Sequence, residues 1–424
     1  MKEYVIKGPN KGIRGTVNIE GAKNSCLPLM ASSVLFEGKV TFTNVPLVKD
    51  VETMCKLLTA LNSQVIISEK EKLVTIINKK SHKFVVPYKL VSTMRSGCLL
   101  MGSLLGKYQK QSIYVAKSGG CSLGTRGIDF HIAGFKALGA ESVLKKGGYI
   151  NISAKKGLVG NKYRFPKVSV TGSSNLIMAS VLAKGTSVLR NISIEPEVLD
   201  LINWLNKCGS KIKFIGRRSV KIEGVKKLFG KEHKIISDRI EAHSYLCLGA
   251  ITRGKITVKN INPKNLYSEL QVLKKIGCKI HIKDHSITLS TNRKLKPIKK
   301  ITTGPFPSYA TDNMPILMAL LTTVEGKSKI VETIFSNRYM ASMELQRMGA
   351  KINIKRDTAT IIGQKKLYGA DCISSDLRTT FSIILGAIAA EGTSRISRIY
   401  HGERGYYNLV NKLKKLGINI KSIS

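Results

Sequence analysis

Residues 176–189 read LIMASVLAKGTSVL, an apolar run that ends in Ala-Lys-Gly-Thr and continues into residues typical of a β-strand. A glycine at the end of an apolar helix permits the sharp change of direction that such a transition needs. Similar phrases recur at residues 36–39, 105–107, 252–255, 324–327 and 390–393. Self-similarity with a period of roughly 65 to 80 residues predicts a repeated structural unit.

A second phrase recurs with the same period, an amphipathic helix followed by a turn and a strand. The residues at these turns are Asn62, Gly139, Gly209, Gly277, Gly349 and Gly417. Glycine and asparagine are the residues that best adopt the left-handed conformation that ends many helices. The sequence thus predicts six α/β units, each containing an apolar helix, a strand, an amphipathic helix and a strand. With 424 residues, we expect two domains of three units each.

The composition is that of a globular protein with an unusual charge. The hydrophobic fraction is 43%, which argues against disorder, and the formal charge is +43 from 70 Lys+Arg and 27 Asp+Glu. The basic residues are spread along the whole chain, without the interleaved aromatic residues that stack on bases. We therefore expect no nucleic-acid partner, and we attribute the charge to a compositional bias or to attraction of anionic substrates.

Neither the N-terminus nor the longest apolar runs suggest a membrane partner. The first residues read as a short strand ending at Gly8 rather than as a signal peptide. The apolar runs at 314–324 and 381–390 are shorter than the ~20 residues needed to cross a bilayer. The sequence predicts a cytoplasmic protein.

Cys121 differs from the other seven cysteines, most of which lie among apolar residues and are expected to be reduced and buried. It belongs to the glycine-rich segment 118–126, beside Lys117 and Arg126. Positive neighbours favour the thiolate, so Cys121 could be a nucleophile or an acid, or an incidental residue of a surface turn.

The sequence gives no sign of a cofactor. It lacks the glycine fingerprints of dinucleotide and triphosphate sites. His281 and His285 are four residues apart, but residues 279–287 alternate like a hairpin, so we expect no metal site there.

Several charged residues have two possible interpretations. Lys23 and Asn24 stand at an expected helix start, where they could bind an anion or form a solvated cap. Asp312 precedes an apolar helix, where it could be the N-cap of that helix or a general base. Four arginines could each form a surface ion pair or clamp a ligand; they are Arg95, Arg338, Arg378 and Arg404.

Taken together, these motifs resemble the UDP-N-acetylglucosamine 1-carboxyvinyltransferase family, an enolpyruvyl transferase family. The matching segments run in order along the whole chain: residues 21–24, 93–95, 119–121, 126, 128–131, 237–241, 337–338, 376–378 and 398–406. The resemblance implies a two-domain inside-out α/β barrel. Residues 22–235 would form the N-terminal domain with the Cys121 loop, residues 1–21 plus 236–424 the C-terminal domain, and the substrates would bind in the cleft between them.

The resemblance also implies the reaction, which is transfer of the enolpyruvyl group of phosphoenolpyruvate to the 3-hydroxyl of UDP-N-acetylglucosamine with release of phosphate. This is the first committed step of peptidoglycan precursor synthesis. Phosphoenolpyruvate would be held by four residues, Lys23, Asn24, Arg126 and Arg404. Cys121 would protonate the enol methylene or form a covalent adduct, and its thiol predicts sensitivity to fosfomycin.

Asp312 would accept the proton of the sugar hydroxyl. The catalytic residues that the resemblance implies are Cys121, Asp312, Lys23 and Arg404. Arg338, Asp376, Leu377 and Arg378 would complete the cleft. The positions expected to line the UDP-sugar are Arg95, Arg126, Gly127, Ile128, Asp129, Phe130, Lys167, Ser169, Val170, Asp312 and Ile334. No cofactor and no particular oligomer are implied. The alternatives are a transferase like 5-enolpyruvylshikimate-3-phosphate synthase and a basic polyanion-binding protein.

The sequence departs from the usual family pattern at a few of these positions. Prolines are replaced by Ser118 before the Gly-Gly-Cys and by Gly127 after Arg126, and an acidic residue is replaced by Ser336. Phe-Pro-Thr-Asp followed by a hydrophobic residue and Gln is usual around Asp312, whereas residues 309–314 read Tyr-Ala-Thr-Asp-Asn-Met here.

Overall fold

A computed structural model describes residues 2–79, 83–116, 128–145, 148–291 and 294–423. The chain divides into two compact units. We call residues 2–20 together with the described residues of 237–423 the terminal unit, and the described residues of 21–236 the central unit.

The described residues form strands β1–β24, in chain order Glu3–Gly8, Arg14–Asn18, Gly38–Thr43, Ser63–Ser68, Leu73–Asn78, Val85–Val86, Ile113–Ala116, Glu141–Leu144, Tyr149–Ser153, Lys162–Arg164, Thr186–Arg190, Lys211–Gly216, Ser219–Glu223, Glu232–Lys234, Lys255–Lys259, Lys279–Lys283, Ser286–Ser290, Ile301–Thr302, Gly326–Val331, Lys351–Lys355, Thr358–Gly363, Asp371–Ile373, Gly392–Ser397 and Ile420–Ile423.

They also form helices α1–α14, in chain order Lys23–Ser32, Lys49–Ala60, Tyr88–Val91, Leu100–Lys107, Asp129–Ala137, Val170–Ser180, Pro196–Lys207, Arg239–Ile251, Tyr267–Ile276, Met314–Leu321, Ala341–Arg347, Leu377–Ala389, Tyr400–Glu403 and Leu409–Lys415. Short 3₁₀ turns lie at Ser33–Leu35, Arg95–Leu99, Pro263–Leu266, Thr311–Asn313 and Arg338–Met340.

The strands form six four-stranded sheets with one common topology. Three belong to the central unit, ordered β14-β3-β5-β4, β6-β7-β9-β8 and β10-β11-β13-β12, and three to the terminal unit, ordered β2-β15-β17-β16, β18-β19-β21-β20 and β22-β23-β1-β24. In each sheet the first pair is parallel and the next two pairs are antiparallel, as in the pairing of β18 with β19, β19 with β21 and β21 with β20. The six repeats expected from the sequence are therefore present as mixed α/β units.

Among the described residues, six helices are buried on almost all sides. All thirteen residues of α8 and all eight of α10 are buried, and α1, α4, α6 and α12 are nearly so. These are the helices that the apolar runs predicted. The amphipathic helices α2, α7 and α9 bury one face only, with Lys56, Lys207 and Lys274 among the residues that stay exposed.

The helix ends that the sequence predicted are confirmed. Asn62 has φ 77°, and the five glycines at the equivalent turns have φ between 84° and 107°. At Gly106 the expectation was wrong, because the next strand, β7, begins only at Ile113. A Cβ at Gly106 would lie 2.7 Å from the Met178 carbonyl oxygen, and one at Gly102 would lie 2.3 Å from that of Asn175. These glycines therefore allow α4 and α6 to pack closely.

The terminal unit is assembled from both ends of the chain. Strand β1 pairs antiparallel with β23 on one side and β24 on the other, and β2 pairs parallel with β15. The expected strand ending at Gly8 is confirmed as β1, and the expected hairpin at residues 279–287 is confirmed as the antiparallel pair β16 and β17. None of the described helices combines the length and the apolar character required to cross a membrane.

Candidate active site

Lys23 is the first residue of α1 in the central unit, as expected, but its side chain is buried rather than exposed. Its Nζ lies 3.0 Å from Asp50 Oδ2 in the first turn of α2. Only 9% of Lys23 and 3% of Asp50 are exposed. The preceding Gly21 lies so close to the chain that a Cβ would be 1.8 Å from the Asn44 carbonyl oxygen. The ammonium group is thus held at a helix N-terminus, where an anion is favoured. Asn24 follows it and is partly exposed.

A buried hydrogen-bond network joins the segments that carry several predicted UDP-sugar residues. His131 of α5 lies with Nδ1 2.7 Å from Asn175 Nδ2, and its Nε2 lies 3.2 Å from Thr171 Oγ1. Asn175 also donates to the Cys98 carbonyl oxygen and accepts from the Gly102 amide. Burial, and then the charge of Arg95, lower the pKa of His131 to about 4. The neutral ring accepts at Nδ1 and carries its proton on Nε2.

The network places the starts of α5 and α6 and the 3₁₀ turn that begins at Arg95 in one part of the central unit. Ile128 precedes α5, Asp129 is its first residue and exposed, and the Phe130 carbonyl oxygen accepts from Tyr163 Oη at 3.1 Å. Ser169 caps α6 by accepting from the Gly172 amide at 3.2 Å.

The remaining predicted side chains of this region face solvent to different degrees. Val170 and Lys167 are exposed, and Arg95 is half-buried. The structure therefore brings Arg95, Ile128–Phe130 and Ser169 onto elements that contact one another.

Asp312 in the terminal unit does not cap α10. It lies in the 3₁₀ turn Thr311–Asn313, and the residue before the helix is Asn313, which makes no side-chain cap. Instead the carboxylate lies between two arginines. Arg338 Nη2 donates to Oδ1, and Arg378 donates to Oδ2 from Nε and Nη2 at 3.3 and 3.1 Å. The N-cap interpretation of Asp312 is therefore wrong.

The two arginines are buried, so a surface ion pair does not describe them. Arg338 and Arg378 are each 2% exposed. Arg338 Nε also donates to the Thr311 carbonyl oxygen at 2.9 Å. Burial alone would lower the pKa of Arg378, but the charge of Asp312 outweighs burial and the pKa is raised. A guanidinium buried in this way needs such a partner, since an unpaired buried charge is strongly destabilising.

The start of α12 supports Arg378. Asp376 accepts from the amides of Arg378 and Thr379 at 2.8 and 3.1 Å and so caps the helix. Leu377, the first helical residue, is buried, and the Arg378 guanidinium carbon lies 5.5 Å from the centre of the Tyr406 ring. At the start of α12, the cap is therefore Asp376, and the two residues that follow it, Leu377 and Arg378, make buried contacts.

Arg404 lies in the segment that packs against the start of α12. A Cβ at Gly405 would lie 2.6 Å from Leu377 Cδ2, and one at Gly402 would lie 2.8 Å from Thr380 Cγ2. Arg404 itself is half-buried, and after burial its charge is the largest cause of the lowered pKa of His401. Arg404 therefore lies in a segment that packs against the helix that carries Arg378.

Ile334 is 36% exposed and follows a buried carboxylate that orders the local chain. Glu332 Oε1 accepts from the Ile334 and Phe335 amides at 2.7 and 3.1 Å, and Oε2 accepts from Thr311 Oγ1 at 2.9 Å. Glu332 therefore connects the Ile334 turn to the Asp312 turn.

Cys121, Arg126 and Gly127 lie outside the described residues, so their predicted roles remain predictions. The other seven cysteines are buried and free of disulfides, as the sequence predicted. Burial raises the pKa of each of these seven thiols, to about 11 for Cys98 and Cys278.

Sequence reasoning missed Asp50, Asn175, Glu332 and Tyr406 as partners of the predicted residues. Asp50 gave a signal, because an acidic residue in the first turn of a helix often has an electrostatic role. Asn175 gave none, because it follows Ser173 and Ser174 and so does not stand out from its polar neighbours in the sequence. Nothing in the sequence indicated which residues these side chains would contact.

Comparison with known proteins identifies the family. Residues 7–413 match the family model described as EPSP synthase (3-phosphoshikimate 1-carboxyvinyltransferase). The chain is 43% identical over 424 residues to the UDP-N-acetylglucosamine 1-carboxyvinyltransferase of Pelagibacter ubique, and 40% identical over 435 residues to that of Bartonella tribocorum. Both alignments cover all of this chain and all of the relative.

Two solved structures share the fold at low identity. The enolpyruvyl transferase NikO from Streptomyces tendae has a TM-score of 0.89 and 20% identity, with 100% of this chain and 99% of that one covered. EPSP synthase from Acinetobacter baumannii has a TM-score of 0.79 and 18% identity, with both chains fully covered. The family model spans the wider group, whereas the relatives given above, at 43% and 40% identity, share one name within it. The chain therefore belongs to the EPSP synthase family of carboxyvinyltransferases and, within it, to the group whose members are named UDP-N-acetylglucosamine 1-carboxyvinyltransferase.

Proposed function

We propose that this chain transfers the enolpyruvyl group of phosphoenolpyruvate to the 3-hydroxyl of UDP-N-acetylglucosamine and releases phosphate. The full-length identity to enzymes of that name supports the acceptor and the donor. The observation that carries the chemistry is the Asp312 carboxylate, which is held between the buried guanidinium groups of Arg338 and Arg378. We infer that this reaction is the first committed step of peptidoglycan precursor synthesis and that it takes place in the cytoplasm. Cell-wall growth, cell shape and cell division depend on this synthesis. Each unit would adopt the inside-out α/β barrel of the family.

Phosphoenolpyruvate would be bound by cations. Lys23 is already fixed by Asp50 at the N-terminus of α1, which suits a phosphate or carboxylate oxygen. Arg126 and Arg404 would add charge-assisted hydrogen bonds, and Asn24 a neutral one. The acceptor would contact Arg95, Arg126, Gly127, Ile128, Asp129, Phe130, Lys167, Ser169, Val170 and Ile334.

In the addition step the 3-hydroxyl oxygen bonds to C2 of phosphoenolpyruvate while Asp312 accepts the hydroxyl proton. Cys121 donates a proton to C3, which becomes a methyl group, or reacts covalently as an alternative role. Loss of phosphate from C2 together with a proton from C3 then restores the double bond and gives the enolpyruvyl ether. The hydrogen bonds from Arg338 and Arg378 hold the Asp312 carboxylate in place, and its side chain remains 28% exposed and so accessible to the acceptor.

The proposal is tested by phosphate release from phosphoenolpyruvate with purified protein. UDP-N-acetylglucosamine and shikimate 3-phosphate are offered in separate reactions. We expect release with the UDP-sugar alone. Release with shikimate 3-phosphate alone would assign the chain to the other acceptor. Release with neither, together with salt-sensitive binding of nucleic acid that the two substrates do not displace, would favour a polyanion-binding protein.

A further inference from the structure

The turn that carries Asp312 is attached to a buried carboxylate outside the candidate site. Glu269, in the first turn of α9, accepts from the Ala310 amide at 3.2 Å and from Asn313 Nδ2 at 3.0 Å. Both donors meet the same oxygen, Oε1, and Glu269 is only 2% exposed. Ala310 and Asn313, which flank Thr311 and Asp312, are thus hydrogen-bonded to the same atom, Glu269 Oε1.

We propose that Glu269 is a positioning residue that sets the location of the Asp312 carboxylate. It does not touch the reacting atoms. It acts by holding Ala310 and Asn313, and through them the Asp312 turn. This inference rests on the proposed function, because it assigns Glu269 a role in the same reaction.

The other contacts of the turn hold different atoms from those that Glu269 holds. Thr311 is held by Glu332 through its hydroxyl and by Arg338 through its carbonyl oxygen. Those bonds fix the side of the turn that faces Arg338. Glu269 holds the opposite ends, where the turn joins Tyr309 and α10, and at the α10 end it is joined by Tyr309 Oη, which donates to the Asn313 carbonyl oxygen at 3.3 Å. Reacting groups need placement to within about 0.5 Å, so an unattached end of this turn would weaken catalysis.

The two donors that meet Glu269 can both be removed by substitution. Proline at position 310 would have no N–H, and a hydrophobic residue at 313 would have no side-chain amide, so neither would need an acceptor at Glu269. Ala310 has φ −68° and ψ 131°, which proline adopts without strain. Glu269 therefore satisfies one part-buried donor, the Ala310 amide, and one buried donor, Asn313 Nδ2.

The test is a comparison of Glu269 variants in two backgrounds. Glu269→Leu removes the acceptor, and Glu269→Gln keeps a neutral one. The second background is Ala310→Pro/Asn313→Leu, which removes both donors. Phosphate release with phosphoenolpyruvate and UDP-N-acetylglucosamine is measured for each variant, and thermal unfolding is recorded separately.

In the natural background we expect Glu269→Leu to lower kcat at least tenfold while the KM for phosphoenolpyruvate changes less than twofold. Glu269→Gln should retain kcat within threefold. In the second background Glu269→Leu should change kcat less than threefold. An equal loss of kcat in both backgrounds, or a loss of thermal stability with unchanged kcat, would overturn the proposal.

A structural measurement separates failure of this inference from failure of the proposed function. Crystal structures of the natural protein and of Glu269→Gln and Glu269→Leu are compared at Asp312, whether or not the protein is active on these substrates. We expect the carboxylate to stay in place in Glu269→Gln and to move by 1 Å or more, or to lose its order, in Glu269→Leu. An unmoved Asp312 in Glu269→Leu would refute the positioning role.

Discussion

Arg378 binds Asp312 through two nitrogens that share a single carboxylate oxygen, Oδ2. The side chain of Asp312 is 28% exposed, whereas those of Arg378 and Arg338 are 3% and 2% exposed. A ligand that approaches this cluster therefore meets the carboxylate, and the guanidinium groups act from behind it. This arrangement makes Asp312 the chemically accessible group and gives the arginines a supporting role.

Replacing Asp312 by Asn should abolish most of the activity. The amide keeps a similar shape but cannot accept the hydroxyl proton, and a missing general base typically costs a factor of about 10² to 10⁴. We expect kcat for phosphate release to fall at least a hundredfold. Asp284→Asn, at an exposed turn with φ 47°, is the control and should keep full activity. Comparable activity in the two variants would contradict the role of Asp312 as a base.

Cys121 should be the one thiol that reacts rapidly in the folded protein. The other seven cysteines are buried, and with pKa values raised by burial they carry almost no thiolate at pH 8. A disulfide reagent should therefore label one thiol quickly in the natural protein and none in Cys121→Ala. Fast labelling that persists in Cys121→Ala would disprove this.

The same residue allows a test of its chemical role. Cys121→Asp keeps a proton donor but loses the sulfur that an epoxide alkylates. It should retain activity and lose sensitivity to fosfomycin, whereas Cys121→Ala should lose activity. Full activity in Cys121→Ala would show that the acid role is wrong.

Acid should destabilise the central unit through His131. The pKa of His131 is lowered in the folded state to about 4, from an unfolded value of 6.5, by burial and by Arg95. Between these values the unfolded chain binds more protons, so the free energy of unfolding falls as the pH drops from 6.5 toward 4. At pH 5 the loss is about 2 kcal/mol relative to neutral pH.

Urea unfolding at pH 7.5 and pH 5 measures this effect. The single tryptophan, Trp204, is fully buried in the central unit and reports on its unfolding. His131→Gln should show a smaller difference between the two pH values, and His281→Gln, at an exposed strand position, should behave like the natural protein. An unchanged difference in His131→Gln would remove this residue as the cause.

Gly102→Ala should destabilise the central unit, although helix propensity alone favours alanine by about 1 kcal/mol. The new Cβ would lie 2.3 Å from the Asn175 carbonyl oxygen, so α4 and α6 would have to separate. Overpacking of this kind costs about 1 to 3 kcal/mol. Trp204 fluorescence in urea should show the loss. Gly216→Ala, with its nearest neighbour at 3.7 Å, is the control and should change stability little. A stabilised Gly102→Ala would contradict the close packing.

The regular elements could be predicted from the sequence because their signals are local. Apolar runs identified α6, α10 and α12, and the glycines at 139 and 277 marked helix ends that do adopt positive φ. The delayed start of β7 could not be predicted, because Gly106 serves the contact between α4 and α6 and not a turn into a strand.

The candidate site was predictable as a set of residues but not as a set of contacts. Asp312 and Arg378 are separated by 66 residues, and Lys23 and Asp50 by 27. Each pair forms only because tertiary packing buries one charged side chain beside a side chain of opposite charge. No local sequence pattern encodes which residue becomes the partner. The alternatives for Asp312 and the arginines remained open in the sequence for this reason.

The position of β1 between β23 and β24 has a consequence for biosynthesis. Residues 3–8 leave the ribosome long before both partners of this strand, which follow only after residue 391. The central unit has its whole sequence available by residue 236 and can fold while translation continues. Throughout that time the backbone N–H and C=O groups on both edges of β1 have no partner strand. We therefore expect chaperones that prevent aggregation to bind this segment until the last repeat is synthesised.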